Sequence, residues 1–241
     1  HYFDKLKINK KTNNIILVEF HGWASAHICY TYLLNSLKNF FSANIVAYEG
    51  YTLISNKINS SIIKNLKWFI GRKIKLKNFK IYDALGAKEF IRIKLNSRII
   101  KKAERKFRLV KFNSKSKILD FKINNIIIGD LIYDTYLKVK KIPTINLNDK
   151  DFYNFFYESL LVFYYWEDFI SKRSVKAVVI SHSVYMYGII MRIALNYKIP
   201  VFKPNFYTIN KITKKNFFIK KEFFDLRKIF KSLKNIQKKN G

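Results

Sequence analysis

The chain has 241 residues, with 47 Lys and Arg against 16 Asp and Glu, a formal net charge of +31. At 49% hydrophobic and 17% aromatic, it can bury a sizeable core, which excludes wholesale disorder. The single cysteine, Cys29, excludes a disulfide scaffold and a cysteine-rich metal site, and no apolar run reaches the ~18 residues that a bilayer-spanning helix needs.

In chain order, a Lys-rich start leads into Asn14–Phe20 (NIILVEF), a continuous apolar run that reads as a buried strand rather than a secretory leader. His21-Gly22-Trp23 breaks the run, and Ser25 can cap a helix beginning after it. Tyr30, Leu33, Leu34, Leu37 and Phe41 fall on one helical face. A second short strand, 44–48, ends at Glu49-Gly50. Strand, tight turn, helix and strand make a βαβ unit with parallel strands. Residues 54–70 read as a helix, 79–93 contain a turn at 84–87, and 96–112 form a basic segment of helical pattern. Residues 118–121 read as a short extended piece, and 126–129 (IIIG) as a strand running into Asp130. Asp149 or Asp151 opens a long aromatic helix over 152–170. A strand over 177–181, a turn at His182 and Ser183, a helix over 184–196 and a strand over 199–202 give a second βαβ unit, ended by Lys203 and Pro204. The expected class is α/β, a Rossmann-like parallel sheet with helices on both faces, in one domain over 1–205. Residues 206–241 read as a basic connector or tail.

Ligands of open parallel sheets bind beyond the carboxyl ends of the strands. That rule selects three polar turns. In the first, His21 is a candidate general base, Gly22 allows close approach of a ligand, and Trp23 can stack on a sugar ring. Glu19 sits inside the strand, where a functional role is less expected than an ordinary one. In the second, Asp130 and Asp134 lie one helical turn apart and can bind sugar hydroxyls, with Tyr133 beside them; Asp130 can equally cap the helix. In the third, Ser181, His182 and Tyr185 stand before a helix whose first N–H groups can hold an anion. Each of these residues has an ordinary structural role open to it as well. His27 and Cys29 read as structural, and Arg192 as a surface or packing residue. No metal site is expected. The chain has no G-x-G-x-x-G, no P-loop and no G-x-S-x-G elbow, which disfavours dinucleotide, nucleoside-triphosphate and α/β-hydrolase chemistry.

The charge has a plain source. The chain holds 39 Lys, 35 Ile and 23 Asn but 8 Arg, the usage of an AT-rich genome. Sites for nucleic acid lean on Arg, so no nucleic-acid partner is expected. Residues 57–122 carry 21 basic and 4 acidic side chains; attraction to an anionic membrane surface is the sharper reading of that imbalance, and a non-catalytic basic module binding membrane or nucleic acid is the competing function.

The stretch IILVEFHGWASAH through YLLNSL to ANIVAYEG resembles the first βαβ unit of GT-B glycosyltransferases. IGDLIYDTYLK and SHSVYMYGIIMRIALNYKIPVF are similar to the amino-terminal half of bacterial surface-carbohydrate (capsule and O-antigen) biosynthesis proteins. The resemblance spans most of 14–205. It implies an acceptor-side domain, with a nucleotide-sugar donor bound mainly by a second domain beyond the basic tail, so that this chain alone would be inactive. His21, His182 or Asp130 would then take a proton from the acceptor hydroxyl in an inverting enzyme. The acceptor would be a glycan or a lipid-linked glycan. No cofactor is implied, and the place of action would be the cytoplasm, at the inner membrane or near it.

Overall fold

A computed structural model describes residues 12–22, 24–50, 58–205 and 207–217. Trp23 and most of the basic tail lie outside the described residues. By packing, the chain divides into a unit over 1–211, which holds the sheet, and a second over 212–241. In the described part of the second, the Thr213 N–H donates to Asn216 Oδ1 at 2.6 Å, closing a turn.

The first strand, β1 (Asn14–Phe20), is buried along its middle. It leads through His21 into α1 (Ala24–Phe41), which begins one residue before the serine expected to cap it. β2 (Asn44–Glu49) returns parallel to β1, with Glu19 opposite Tyr48 and Phe20 opposite Glu49. Then come α2 (Ile58–Lys73) and α3 (Asn78–Ala84). After them the expected turn at 84–87 opens into a strand, β3 (Ala87–Ile91), parallel to β2. Its sequence, AKEFI, is half polar because this strand lies at the sheet edge, where a continuous apolar run is not needed.

Next come α4 (Ser97–Arg108), capped by Asn96, whose side chain accepts the Ile99 N–H at 2.9 Å, and α5 (Lys115–Leu119). The helix α5 replaces the extended piece expected at 118–121. The IIIG run is no strand of the main sheet either. β4 (Lys122–Ile123) and β5 (Ile126–Ile127) form a separate antiparallel hairpin. Its turn residues Asn124 and Asn125 both have positive φ, 49° and 65°, the conformation a two-residue hairpin turn requires. Ile126 and Ile128 are buried and Ile127 is half-buried, without a main-sheet strand on either side of them.

α6 (Gly129–Lys140) and α7 (Lys150–Lys172) follow, the latter capped by Asp149, which accepts the Asp151 N–H at 2.9 Å. β6 (Ser174–Val179) then pairs parallel to β1. A single 3₁₀ turn over Tyr185–Tyr187 precedes α8 (Gly188–Asn196), so the helix expected from 184 starts four residues later. β7 (Val201–Pro204) lies parallel to β6 and includes Lys203 and Pro204, expected to end it. β8 (Ile209–Ile212) follows.

The main sheet has the order β3-β2-β1-β6-β7-β8. The chain walks outward in one direction from β1 to β3 and in the other from β6 to β7. On one face, Ile16, Val18, Ile45, Ala47, Ala177 and Val179 pack with Tyr30, Leu33, Leu34 and Leu37 of α1 and Tyr82 of α3. On the other, Tyr48 of β2 meets Trp166 of α7, rings 5.2 Å apart. The class is therefore α/β with a mostly parallel, Rossmann-like sheet.

Candidate functional site at the carboxyl edge of the sheet

Between β1 and β6 the strand order reverses. The turns that leave two such strands diverge and open a crevice. Here they carry His21 on one side, and Ser181 and His182 on the other.

Glu19 joins the two. Its backbone is in β1 and its side chain is buried, 3% exposed. A carboxylate so deep must have donors. The Ser181 N–H and the Ser181 hydroxyl both donate to Oε2 at 2.6 Å, and the His182 backbone adds to this cradle. Burial nonetheless raises the Glu19 pKa above its ordinary value, against the pull of those donors.

His182 Nδ1 lies 2.7 Å from the same Ser181 oxygen. With Glu19 ionised, the Ser181 hydroxyl donates to it, Nδ1–H donates to Ser181 Oγ, and Nε2 is the basic nitrogen. Desolvation first, and then Lys203 and Lys138, lower the His182 pKa and so favour the neutral ring.

His21 reaches the same group from the other side. Its Nε2 lies 3.1 Å from the Tyr30 hydroxyl of α1, and Tyr30 is within hydrogen-bond reach of the Ser181 side chain. Burial, with help from His27 and His182, lowers the His21 pKa to about 4. The turn is braced by its neighbours. Tyr82 of α3 donates to the Glu19 carbonyl at 2.5 Å and accepts the His21 N–H at 3.3 Å. His27 Nε2–H donates to the His21 carbonyl at 2.8 Å, and the two imidazoles stack 5.6 Å apart. His27 thus has the structural role expected of it.

The walls come from β2, β3 and the third turn. A Cβ on Gly50 would lie 3.1 Å from the Tyr187 ring and 3.3 Å from Glu19 Oε1, so a larger residue at the end of β2 would have to push these side chains aside. The Tyr187 ring is 5.9 Å from that of His182. Arg92, just past β3, pairs with Glu49 at the end of β2 and lies 4.9 Å over the Trp68 ring. At Gly22 the close approach is to α3: a Cβ there would stand 3.1 Å from Asn78 Nδ2.

The second expected turn does not belong to this crevice's strands. It comes after the separate hairpin, and Asp130 is committed elsewhere. Both Asp130 oxygens accept from Arg192 of α8 at 2.5 Å, and Arg192 also donates to the Ile127 carbonyl at 2.7 Å. Arg192 is buried, 5% exposed, not at the surface, and Asp130 neutralises it. Asp134 is exposed and Tyr133 Oη pairs with Thr144 Oγ1 at 3.3 Å. Tyr185 connects α6 to the third turn: it has a positive φ of 57°, and Lys138 Nζ sits 4.1 Å over its ring. Of the expected set, then, His21, Ser181 and His182 converge on the Glu19 and Tyr30 side chains, Gly22 approaches α3, Tyr185 stands against Lys138, and Asp130 and Tyr133 bond to Arg192 and Thr144 instead.

Tyr30, Tyr82, Glu49, Arg92 and Tyr187 were not expected at the site, and Glu19 was weighed and given the ordinary role. Only Glu19 left a signal, a carboxylate in the middle of an apolar strand. A cavity of about 640 Å³ opens at the opposite, amino end of the sheet, beside Thr12, Asn44, Lys88 and Arg173. It contains no histidine and lies away from the switch point. Among the described residues, no three His, Cys, Asp or Glu side chains are placed to share a metal ion. No protein-family model matches the chain, and no match is found among curated proteins or solved structures.

Proposed function

We propose that the chain is the acceptor-side half of a GT-B-type glycosyltransferase of surface-polysaccharide biosynthesis, and that it activates a hydroxyl of a glycan or lipid-linked acceptor at the β1/β6 crevice. The observation that carries this reading is the connected run from Glu19 through Ser181 to His182, placed where the strand order reverses. His182 Nε2 accepts the hydroxyl proton. The acceptor oxygen bonds to the anomeric carbon of an activated sugar, and the bond from that carbon to the nucleotide breaks, the nucleotide leaving with the electron pair. The resulting imidazolium is countered by Glu19 through the Ser181 hydroxyl, which positions the ring as well. His21, with its pKa near 4, is too weak a base at pH 7 to compete; it serves as a hydrogen-bonding wall for the acceptor.

Saturation-transfer NMR against a panel of oligosaccharides tests the reading. Wild type should bind at least one, and loss of a single hydrogen bond in His21→Ala or His182→Ala should weaken it about fivefold, the worth of one such bond. Absence of glycan binding, or affinity equal to wild type in both variants, would overturn it.

A further inference from the structure

A surface helix normally turns its polar face to water. The described part of α2 turns apolar side chains to water as well, beside its exposed Lys67, Arg72 and Lys73. Trp68 faces the body, 5.1 Å from the Phe20 ring and 4.9 Å from that of Phe79. Gly71 also faces inward, leaving room for Phe79, whose ring would lie 3.1 Å from a Cβ there. At about 100° per residue, the opposite face carries Leu66, Phe69 and Ile70. These are 56%, 63% and 43% exposed. The stripe continues past the helix end into the elbow before α3, where Ile74 and Leu76 are 58% and 50% exposed.

Cations surround this apolar face. Lys67, Arg72, Lys73, Lys75, Lys77 and Lys80 all fall within 66–81, and that stretch contains no acidic residue. The nearest, Asp83, pairs with Lys75 at 2.7 Å. The elbow is tightly held: the Leu76 N–H donates to the Gly71 carbonyl at 2.8 Å, and Lys75 and Lys77 both adopt positive φ. The apolar side chains are thus presented, not loosely exposed.

We infer that the α2–α3 elbow is a docking surface for an anionic lipid bilayer. Exposed Phe, Leu and Ile enter the headgroup boundary while flanking Lys and Arg meet lipid phosphates. A second copy of the chain fits poorly, because two such patches bring like charges face to face. Nucleic acid would use the cations but leave Phe69, Ile74 and Leu76 in water. The elbow also adjoins the first polar turn, since Asn78 packs against Gly22. A lipid-linked acceptor held in the bilayer would therefore meet the protein beside His21. That last use rests on the sugar-transfer reading; bilayer binding does not, and the two are measured separately.

Flotation with phosphatidylcholine vesicles, alone or mixed with phosphatidylglycerol, is the test. Wild type should float with the mixed vesicles, and less so as salt rises. Phe69→Ser/Ile74→Ser/Leu76→Ser should weaken this at least about tenfold at unchanged unfolding temperature, because the altered side chains are exposed and contribute mainly to insertion. Lys73→Glu/Lys77→Glu should weaken it as well. The inference is overturned if wild type stays unbound, if the triple-serine variant binds as wild type does, or if an oligonucleotide is bound more tightly than vesicles. It is equally overturned if wild type sediments as a dimer that the serine substitutions dissolve.

Discussion

His21 has a proton affinity set by its surroundings, and this makes a pH dependence. Its folded pKa is lowered to about 4, against an ordinary value of 6.5. Between those values the unfolded chain binds the proton and the folded one does not. Stability contributed by the neutral ring is therefore full above pH 6.5 and is lost as pH falls towards 4. Glu19 acts with the opposite sign: its raised pKa means the folded state holds a proton more tightly, so its contribution to stability falls as rising pH ionises it. Replacing His21 by Gln removes the first effect and leaves the second. The unfolding temperature of wild type should drop between about pH 6.5 and 4.5 more steeply than that of His21→Gln, as read by circular dichroism. A variant with the same slope as wild type would mean His21 is protonated normally in the folded state. Asp130, expected in the same role as the histidines, belongs to a different calculation. Its partner Arg192 is 62 residues away in sequence, so no local pattern announces the pair. Asp130→Ala strands a buried guanidinium and should cost about 3 kcal/mol of stability, the usual penalty for one half of such a pair. Chemical denaturation of the two proteins measures it, and an unchanged midpoint would mean that water or another acceptor takes over the guanidinium.

At the level of elements, legibility followed burial. β1, β2 and β6 were readable because strands covered on both faces must be apolar throughout. β3 was not, because its edge position permits the polar half of AKEFI. The IIIG run misled for the complementary reason: it is as apolar as a central strand, but Asn124-Asn125 just before it is a hairpin turn and sends it back on β4. The placement of Asp130 at a strand end rested on that run and fell with it. The two turns that do meet were readable because a βαβ unit fixes which end of its strands faces the crevice. Glu19 was given the ordinary role because its cradle is formed by Ser181, which no local rule connects to it. The GDLIYDTYL segment has a structural demand of its own. A Cβ on Gly129 would lie 1.8 Å from the Ile118 carbonyl oxygen and 2.7 Å from that of Leu119. No rotamer relieves a clash with backbone atoms, so α5 and α6 must part. Gly129→Ala should cost about 3 kcal/mol, at the upper end for overpacking, and lower the melting temperature by roughly 6–12 °C for a chain of this size. An alanine variant melting as wild type does would mean that α5 can shift freely.

For the molecule as a whole, the formal charge of +31 must be carried by a sheet and helices that are themselves nearly neutral inside. Residues 57–122 hold 21 of the cations, so repulsion is concentrated in α2 to α5 and the segments between them. Like charges within a Debye length of about 10 Å at 0.1 M salt push the compact state apart, and salt relieves this. The unfolding temperature should consequently rise as sodium chloride is raised, whereas binding to anionic vesicles should fall over the same range. The two trends share one cause and have opposite signs, which separates them from any general effect of salt on hydrophobic burial, since that would strengthen both. Scanning fluorimetry and flotation on one preparation decide the matter. If stability is flat with salt while vesicle binding falls, the cations are spaced widely enough to ignore one another and act only on the bilayer. If both rise together, burial of the Phe69 and Ile74 face outweighs the charge.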